Sequence, residues 1–263
     1  MMSPAKKTAI ALASVPIMLW CLWMAFPASA IQSVMEDSAA EHLLDLEISG
    51  LEKGLFCNFR VEHIRISKSA RELISLHNIE ARIHPLLLFL MQLSVSYEGT
   101  VGNGTVSGDI FRAGREFRAS LALKDADMRS IRLLGSFGIR GEGTVSGTFS
   151  TEGSEARADF AVKEAGFRPA EFSGVLVPLN FFSNIQGSLH ITGNMIKIES
   201  VSLEGRDIYA RIKGVVNTGV ADLTMELMPD RSFLENPLVS MNLDRYRVSP
   251  GYYIIPIKGH IPV

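Results

Sequence analysis

Apolar and polar positions along this chain follow two regimes. From Thr8 to Met35 no charged residue occurs; Lys6 and Lys7 precede the run, and Glu36 and Asp37 follow it. Beyond it the rhythm becomes a two-residue alternation. Ile79, Ala81 and Ile83 alternate with Glu80, Arg82 and His84, and Phe117, Ala119, Leu121 and Leu123 with Arg118, Ser120 and Lys124. Ala158, Phe160 and Val162 alternate with Asp159 and Lys163; Ile208, Ala210, Ile212 and Val216 with Tyr209, Arg211 and Lys213; Ala221, Leu223, Met225 and Leu227 with Asp222, Thr224 and Glu226. Alternation of this kind predicts antiparallel strands with one apolar and one solvated face. Phe59, Val61, Ile64 and Ile66 keep the pattern with a slip near His63, which predicts a bulged strand. Val239, Met241 and Leu243 predict a further strand after a Pro229–Pro237 connection, and Pro256 and Pro262 mark the tail as an edge strand.

The uncharged run supports two readings. As one helix, Ile10 to Ile31 reaches about 33 Å, enough to cross a hydrocarbon core. Ile10, Leu19, Trp20, Trp23 and Phe26 are then membrane-anchor residues, and the preceding lysines keep the N-terminus cytoplasmic. Alternatively, the lysines, the apolar stretch and Ala28-Ser29-Ala30 form a cleavable secretory signal. Either way residues 36–263 form one exported domain behind residues 1–35.

Two segments depart from strand rhythm. Ser38-Ala39-Ala40-Glu41 fits a capping box and predicts a short helix to about Asp45. Pro85–Leu93 is apolar all round and too short to span a bilayer, so it is a core element, a plug at one end of the sheet, or a membrane-surface contact.

An internal repeat is the other organising feature. Gly102-Asn103-Gly104-Thr105-Val106-Ser107-Gly108 recurs 39 residues on as Gly141-Glu142-Gly143-Thr144-Val145-Ser146-Gly147, and a looser copy begins at Gly187-Ser188-Leu189. Self-similarity at this period predicts a stacked or meandering β architecture. The glycine spacing is one residue too long for a dinucleotide fingerprint and no lysine follows, so these glycines are expected where strands bend or approach closely, with no nucleotide bound.

Composition changes the picture little. With Lys6 and Lys7 set aside, acids outnumber bases by about four, and no basic cluster suggests nucleic acid. Cys21 lies within the run and Cys57 is alone in the exported part, which leaves Cys57 as a small buried hydrophobe. The six histidines show no metal-ligand spacing, and no nucleophile motif is present, so neither cofactor nor catalysis is expected. Phe117, Leu121, Leu123, Phe160, Val162, Ile191, Ile212, Leu223 and Met225 fall on the apolar tracks of successive strands. No long amphipathic helix follows residue 93 to cover them, so the sheet is expected to curl, leaving either a filled core or an apolar slot.

The order of features is run, short helical segment, Gly54-Leu55-Phe56 with Val61-Glu62-His63-Ile64-Arg65-Ile66, the apolar Leu86–Leu93 segment, two G-x-G-T-V-S-G strands, then Leu203-Glu204-Gly205-Arg206-Asp207-Ile208-Tyr209-Ala210. This resembles the long form of the type II secretion system protein N family, itself similar to AsmA-type β-groove proteins. The resemblance implies a non-enzymatic, single-pass component of the bacterial inner membrane whose C-terminal domain lies in the periplasm among other secretion-system components. The AsmA likeness implies a taco-like groove for lipid acyl chains as the alternative. About 230 exported residues imply a short groove.

Overall fold

The alternating segments pair as a chain of hairpins. The computed structural model describes residues 18, 20, 21, 23–40, 45–68, 71–88, 90–132, 141–168, 170–172, 175–177, 179–234 and 243–260. Its strands are β1 (Asp45–Lys53), β2 (Asn58–Lys68), β3 (Arg71–Ile83), β4 (Gln92–Val101), β5 (Gly104–Ala113), β6 (Glu116–Asp127), β7 (Gly141–Glu152) and β8 (Glu155–Phe167). A small hairpin, β9 (Ala170–Phe172) with β10 (Val175–Val177), stands apart. Then come β11 (Phe182–Thr192), β12 (Met195–Gly205), β13 (Ile208–Asn217), β14 (Val220–Pro229), β15 (Arg247–Ser249) and β16 (Tyr252–His260). Among the described residues fourteen strands form one antiparallel sheet, each beside its sequence neighbour except where β8 meets β11 and β14 meets β16. The sheet does not close on itself: β1 is one edge and the short β15 the other.

The helices are α1 (Ala28–Ala40), α2 (Pro85–Leu88) and α3 (Arg231–Leu234). α1 corrects two expectations. Helical residues reach Ala25, the chain bends at Phe26-Pro27, and α1 starts beyond the proline, so Ile10–Ile31 is not one continuous helix. Ser38 lies near the end of α1 rather than capping a new helix, and Asp45 opens β1, a strand the sequence reading did not assign. α1 lies along edge strand β1: Gln32 Nε2 donates to the Ile48 carbonyl at 3.2 Å, and Met35 packs on the Ile48–Val61–Ile64–Ile79 cluster. Covering an edge strand blunts its tendency to pair with other chains. At the other edge β15 matches only Tyr252 and Tyr253, so the rest of β16, including Pro256, has no outer partner among the described residues.

The slip near His63 is shared by three strands. Val61 and Ile64 are both buried; their partners Leu51 and Ile48 in β1, and Ile79 and Leu76 in β3, slip together, which keeps the ladders in register. The repeat is also legible in the backbone. Asp125 in β6 and Glu164 in β8, 39 residues apart, both have φ 52, and each sits where two residues face one on β7. These bulges put a non-glycine residue in the left-handed region and bend both copies alike. The glycine facing Glu164 is Gly143, at φ 141 with Ala165 Cα and Lys163 O about 3.0 Å from where a Cβ would stand. Gly104, Gly108 and Gly147 are likewise pressed against neighbouring backbone. The repeat glycines lie where strands bend or approach closely, as their spacing predicted.

Leu243 is a correction. It is helical in backbone, at φ −86 and ψ −25, and leads a 3-10 turn, Asp244–Tyr246, instead of ending a strand. Val239 and Met241 lie outside the described residues. Leu243 and Tyr246 pack on the core with Phe233 and Leu234 of α3, and Met128 and Leu179 of two other short turns are buried in the same cluster. These elements cover the end of the sheet opposite the β1–β2, β3–β4 and β5–β6 hairpins. Of the described residues of Pro85–Leu93, Leu86 is 77% exposed, Leu90 66% and Met91 89%, so these three are neither core nor plug.

Candidate functional site

Register decides which side chains share a face. Gly99, Val106, Leu123, Gly147, Phe160, Gly187, Val201, Ile212, Met225 and Ile255 are successive partners from β4 to β16. Two flanking rows run the same way, Tyr97–Gly108–Leu121–Phe149–Ala158–Leu189–Ile198–Gly214–Leu223–Ile257 and Ala126–Val145–Val162–Ile185–Leu203–Ala210–Leu227–Tyr253. All nine of the apolar-track residues lie on this one face, because Ile191 and Phe117 sit on it nearer the hairpin end. The glycines in the rows are filled by their neighbours: a Cβ on Gly187 would stand 2.7 Å from the Phe160 ring, and Tyr97 crosses Gly108 to donate its hydroxyl to the Ser120 carbonyl at 3.3 Å. Burial there, and Asp109 secondarily, raises the Tyr97 pKa.

The face is not uniformly dry. In the row against the short turns, Ala126, Val145, Val162, Leu203, Ala210, Leu227 and Tyr253 are all buried. One row toward the hairpins, Leu123, Phe160, Val201 and Ile212 are half-buried in the middle strands, while Met225 stays buried. Nearer still, Leu121, Leu189 and Ile191 are half-buried, Leu223 is buried, and Phe149 and Phe117 are 37% and 42% exposed. The apolar face is therefore sealed at one end and toward the C-terminal strands, and open at the hairpin end of β5–β8.

The opposite face carries paired charges. Arg60 bonds Glu80, Arg65 meets Glu47 at 2.6 Å, and Lys258 meets Asp222 at 3.2 Å, all across neighbouring strands. Water screens exposed pairs of this kind, so they set register and solubility more than stability. A depression of about 840 Å³ is bordered by Arg60, Glu80, Glu98, Ser96, Asp109 and Ser120. Within it Arg60 pairs with Glu80 and Ser96 donates to Asp109 at 2.6 Å, while Phe59, Tyr97, Leu121 and Phe149 add apolar lining.

Sequence spacing missed one pair. His63 and His77, partners on β2 and β3, stack with centroids 4.5 Å apart and Nδ1 atoms 3.1 Å apart, and His77 Nε2 lies 3.2 Å from Ser75 Oγ. No group of three or more potential metal ligands forms among the described residues. Cys57 is half-buried at φ 50, and burial raises its thiol pKa. That disfavours the reactive thiolate.

No family model matches this chain, and neither a curated protein nor a solved structure does. The site must therefore be read from its own geometry.

The N-terminal segment adds the second half of the site. Ile10 and Leu19 lie outside the described residues. Trp20 Nε1 donates to the Leu55 carbonyl at 3.0 Å, and Trp23 Nε1 to the Gly54 carbonyl at 2.9 Å. Lys53 Nζ donates back to the carbonyls of Trp23, Met24 and Phe26 at 2.7, 3.1 and 2.6 Å. An ammonium at a helical C-terminus satisfies carbonyls that have no partner of their own. Among the described residues no helix is long and apolar enough to cross a membrane. Sequence reading placed Trp20, Trp23 and Phe26 in this segment but missed Lys53; its only signal is being the sole base between Pro27 and Arg60. Lys53→Met should loosen the staple without unfolding the sheet. Hydrogen exchange of the Gly54–Cys57 amides should rise about tenfold, the effect of losing roughly 1.5 kcal/mol; exchange unchanged from wild type would show that the tryptophans suffice.

Proposed function

We propose that this protein is a non-enzymatic component of type II protein secretion, anchored in the bacterial inner membrane with its sheet on the periplasmic side. The observation that carries the reading is the staple: an uncharged N-terminal segment is tied by two tryptophans and a lysine to one end of a long open sheet. That end becomes the membrane end, and the sheet extends away from it with faces, and a β16 edge largely without an outer partner among the described residues, for other secretion components. The order of features resembling the protein N family supplies the link to secretion.

One observation favours a second reading, an AsmA-like groove for lipid acyl chains. Three apolar rows cross the sheet without a break and open at the hairpin end of β5–β8. Neighbouring strands turn by roughly 20–25° each, and curling is one of the ways a strongly twisted open sheet grows beyond about ten strands. Curling toward the apolar side makes that opening the mouth of a slot.

The deciding experiment deletes the gene in its own bacterium and follows folded enzymes normally exported to the medium. Under the secretion reading they accumulate in the periplasm, and the wild-type chain resists extraction from membranes at alkaline pH. Export at wild-type levels sinks that reading; acyl chains found in an organic extract of the purified full chain would then favour the groove.

A further inference from the structure

The staple fixes depth as well as place, and two neighbouring loops share that depth. Phe26-Pro27 ends the N-terminal segment, and Trp20 lies six residues earlier, about 9 Å along a helix. The tip of the β1–β2 hairpin is bonded at that height, through the Leu55 carbonyl. Its side chains have no cover: Leu55 is 58% and Phe56 78% exposed. The β3–β4 connection is pinned beside it, Ile83 N–H donating to the Cys57 carbonyl at 2.7 Å, and it exposes Leu86, Leu90 and Met91. No charged residue occurs between Gly54 and Phe59 or between Pro85 and Tyr97.

The other hairpins at this end are polar at their tips; Phe117, Met195 and Val220 beside them are 42%, 40% and 46% exposed, less than Leu55 or Phe56. Their tips are Gly114-Arg115, Gly153-Ser154, Gly193-Asn194 and Thr218-Gly219. Exposed apolar tips are thus gathered at the corner against the stapled segment, whose own Met18, Trp20, Met24 and Phe26 are also exposed. Scattered exposed apolar residues need no explanation, whereas a contiguous cluster marks a binding surface.

We infer that the β1–β2 and β3–β4 loops insert into the lipid interface around the anchor, seating the β1–β4 end of the sheet on the bilayer. This rests on the membrane reading of the N-terminal segment. Continuity carries it: if residues up to Phe26 are in the membrane, a loop bonded beside Trp20 enters the zone some 5–10 Å deep where amphipathic elements bury apolar side chains. Tryptophan is itself enriched at that interface. Leu55, Phe56, Leu86 and Met91 are the inserting residues, and Lys53 stays at headgroup level.

The test uses the wild-type full chain in vesicles of phosphatidylethanolamine and phosphatidylglycerol carrying a photoreactive diazirine on the acyl chain, with labelled peptides mapped after illumination. Peptides holding Leu55–Phe56 and Leu86–Met91 should be labelled about tenfold above those holding Arg115, Ser154 and Asn194. Labelling of residues 8–26 with both loops at background overturns the inference while the anchor stands, and points to a protein partner on the loops. Background labelling everywhere removes the anchor and the seating together. Loops labelled while residues 8–26 are not would overturn the inference as well, because the loops would then reach lipid without the anchor that sets their depth.

Discussion

Gly104→Ala should destabilise the sheet by about 3 kcal/mol, at the upper end of what overpacking costs. A Cβ there would stand 2.4–2.5 Å from Ala126 N, Ala126 Cα and Lys124 O. None of the three is the far end of a flexible side chain, so β5 and β6 must part. They sit in a cluster with no slack, since Val101 and Ala126 are fully buried and Val106 nearly so. For a chain of this size the loss lowers Tm by roughly 6–12 °C, read by thermal circular dichroism of the full chain in mild detergent. Gly166→Ala is the control: it has open space and no positive φ, so it should stay within about 0.5 kcal/mol of wild type. Equal shifts for the two would mean that the chain's conformational freedom at glycine, rather than close approach, governs these positions.

That contrast shows what the sequence could and could not disclose. Sheet faces were legible because burial on one side imposes a period of two, and a one-residue slip would turn every side chain around. The register therefore put Leu121, Phe160, Ile212 and Met225 where their alternation placed them. Glycine spacing pointed to close approach without saying to what. What escaped was decided by long-range contact. The β1 strand was hidden because its apolar alternation, Leu46 and Ile48, slips at Gly50 (φ 65) before Leu51, and only pairing with β2 makes the stretch a strand. Apolar composition left Pro85–Leu93 open as core, plug or membrane-surface contact, because only its neighbours decide what covers it, and they leave Leu86, Leu90 and Met91 exposed. The His63–His77 contact needs the β2–β3 register, and Lys53 gains its role from carbonyls some thirty residues upstream.

A series of aspartates along the apolar face should give a graded cost. Val61→Asp places a carboxylate where the wild-type side chain is fully buried. Nothing there can pair with it, so the group must stay neutral or open the sheet, at a cost of about 4 kcal/mol or more. Leu121→Asp, at a half-buried site packed against the Val101–Val106–Ala126 cluster, should cost about 2–3 kcal/mol. Phe117→Asp should cost under about 1 kcal/mol, because the ring is 42% exposed and its cross-strand partner is Arg112, an opposite charge within reach. Chemical denaturation of the three variants measures the order directly. Equal large costs would mean the face is sealed along its whole length, which leaves no mouth for an acyl chain. Leu121→Asp within about 0.5 kcal/mol of wild type would place that row in water and end the groove reading. The predicted order, steep where neighbouring elements enclose the apolar face and shallow at the β5–β8 hairpins, is what an apolar slot open at that corner requires.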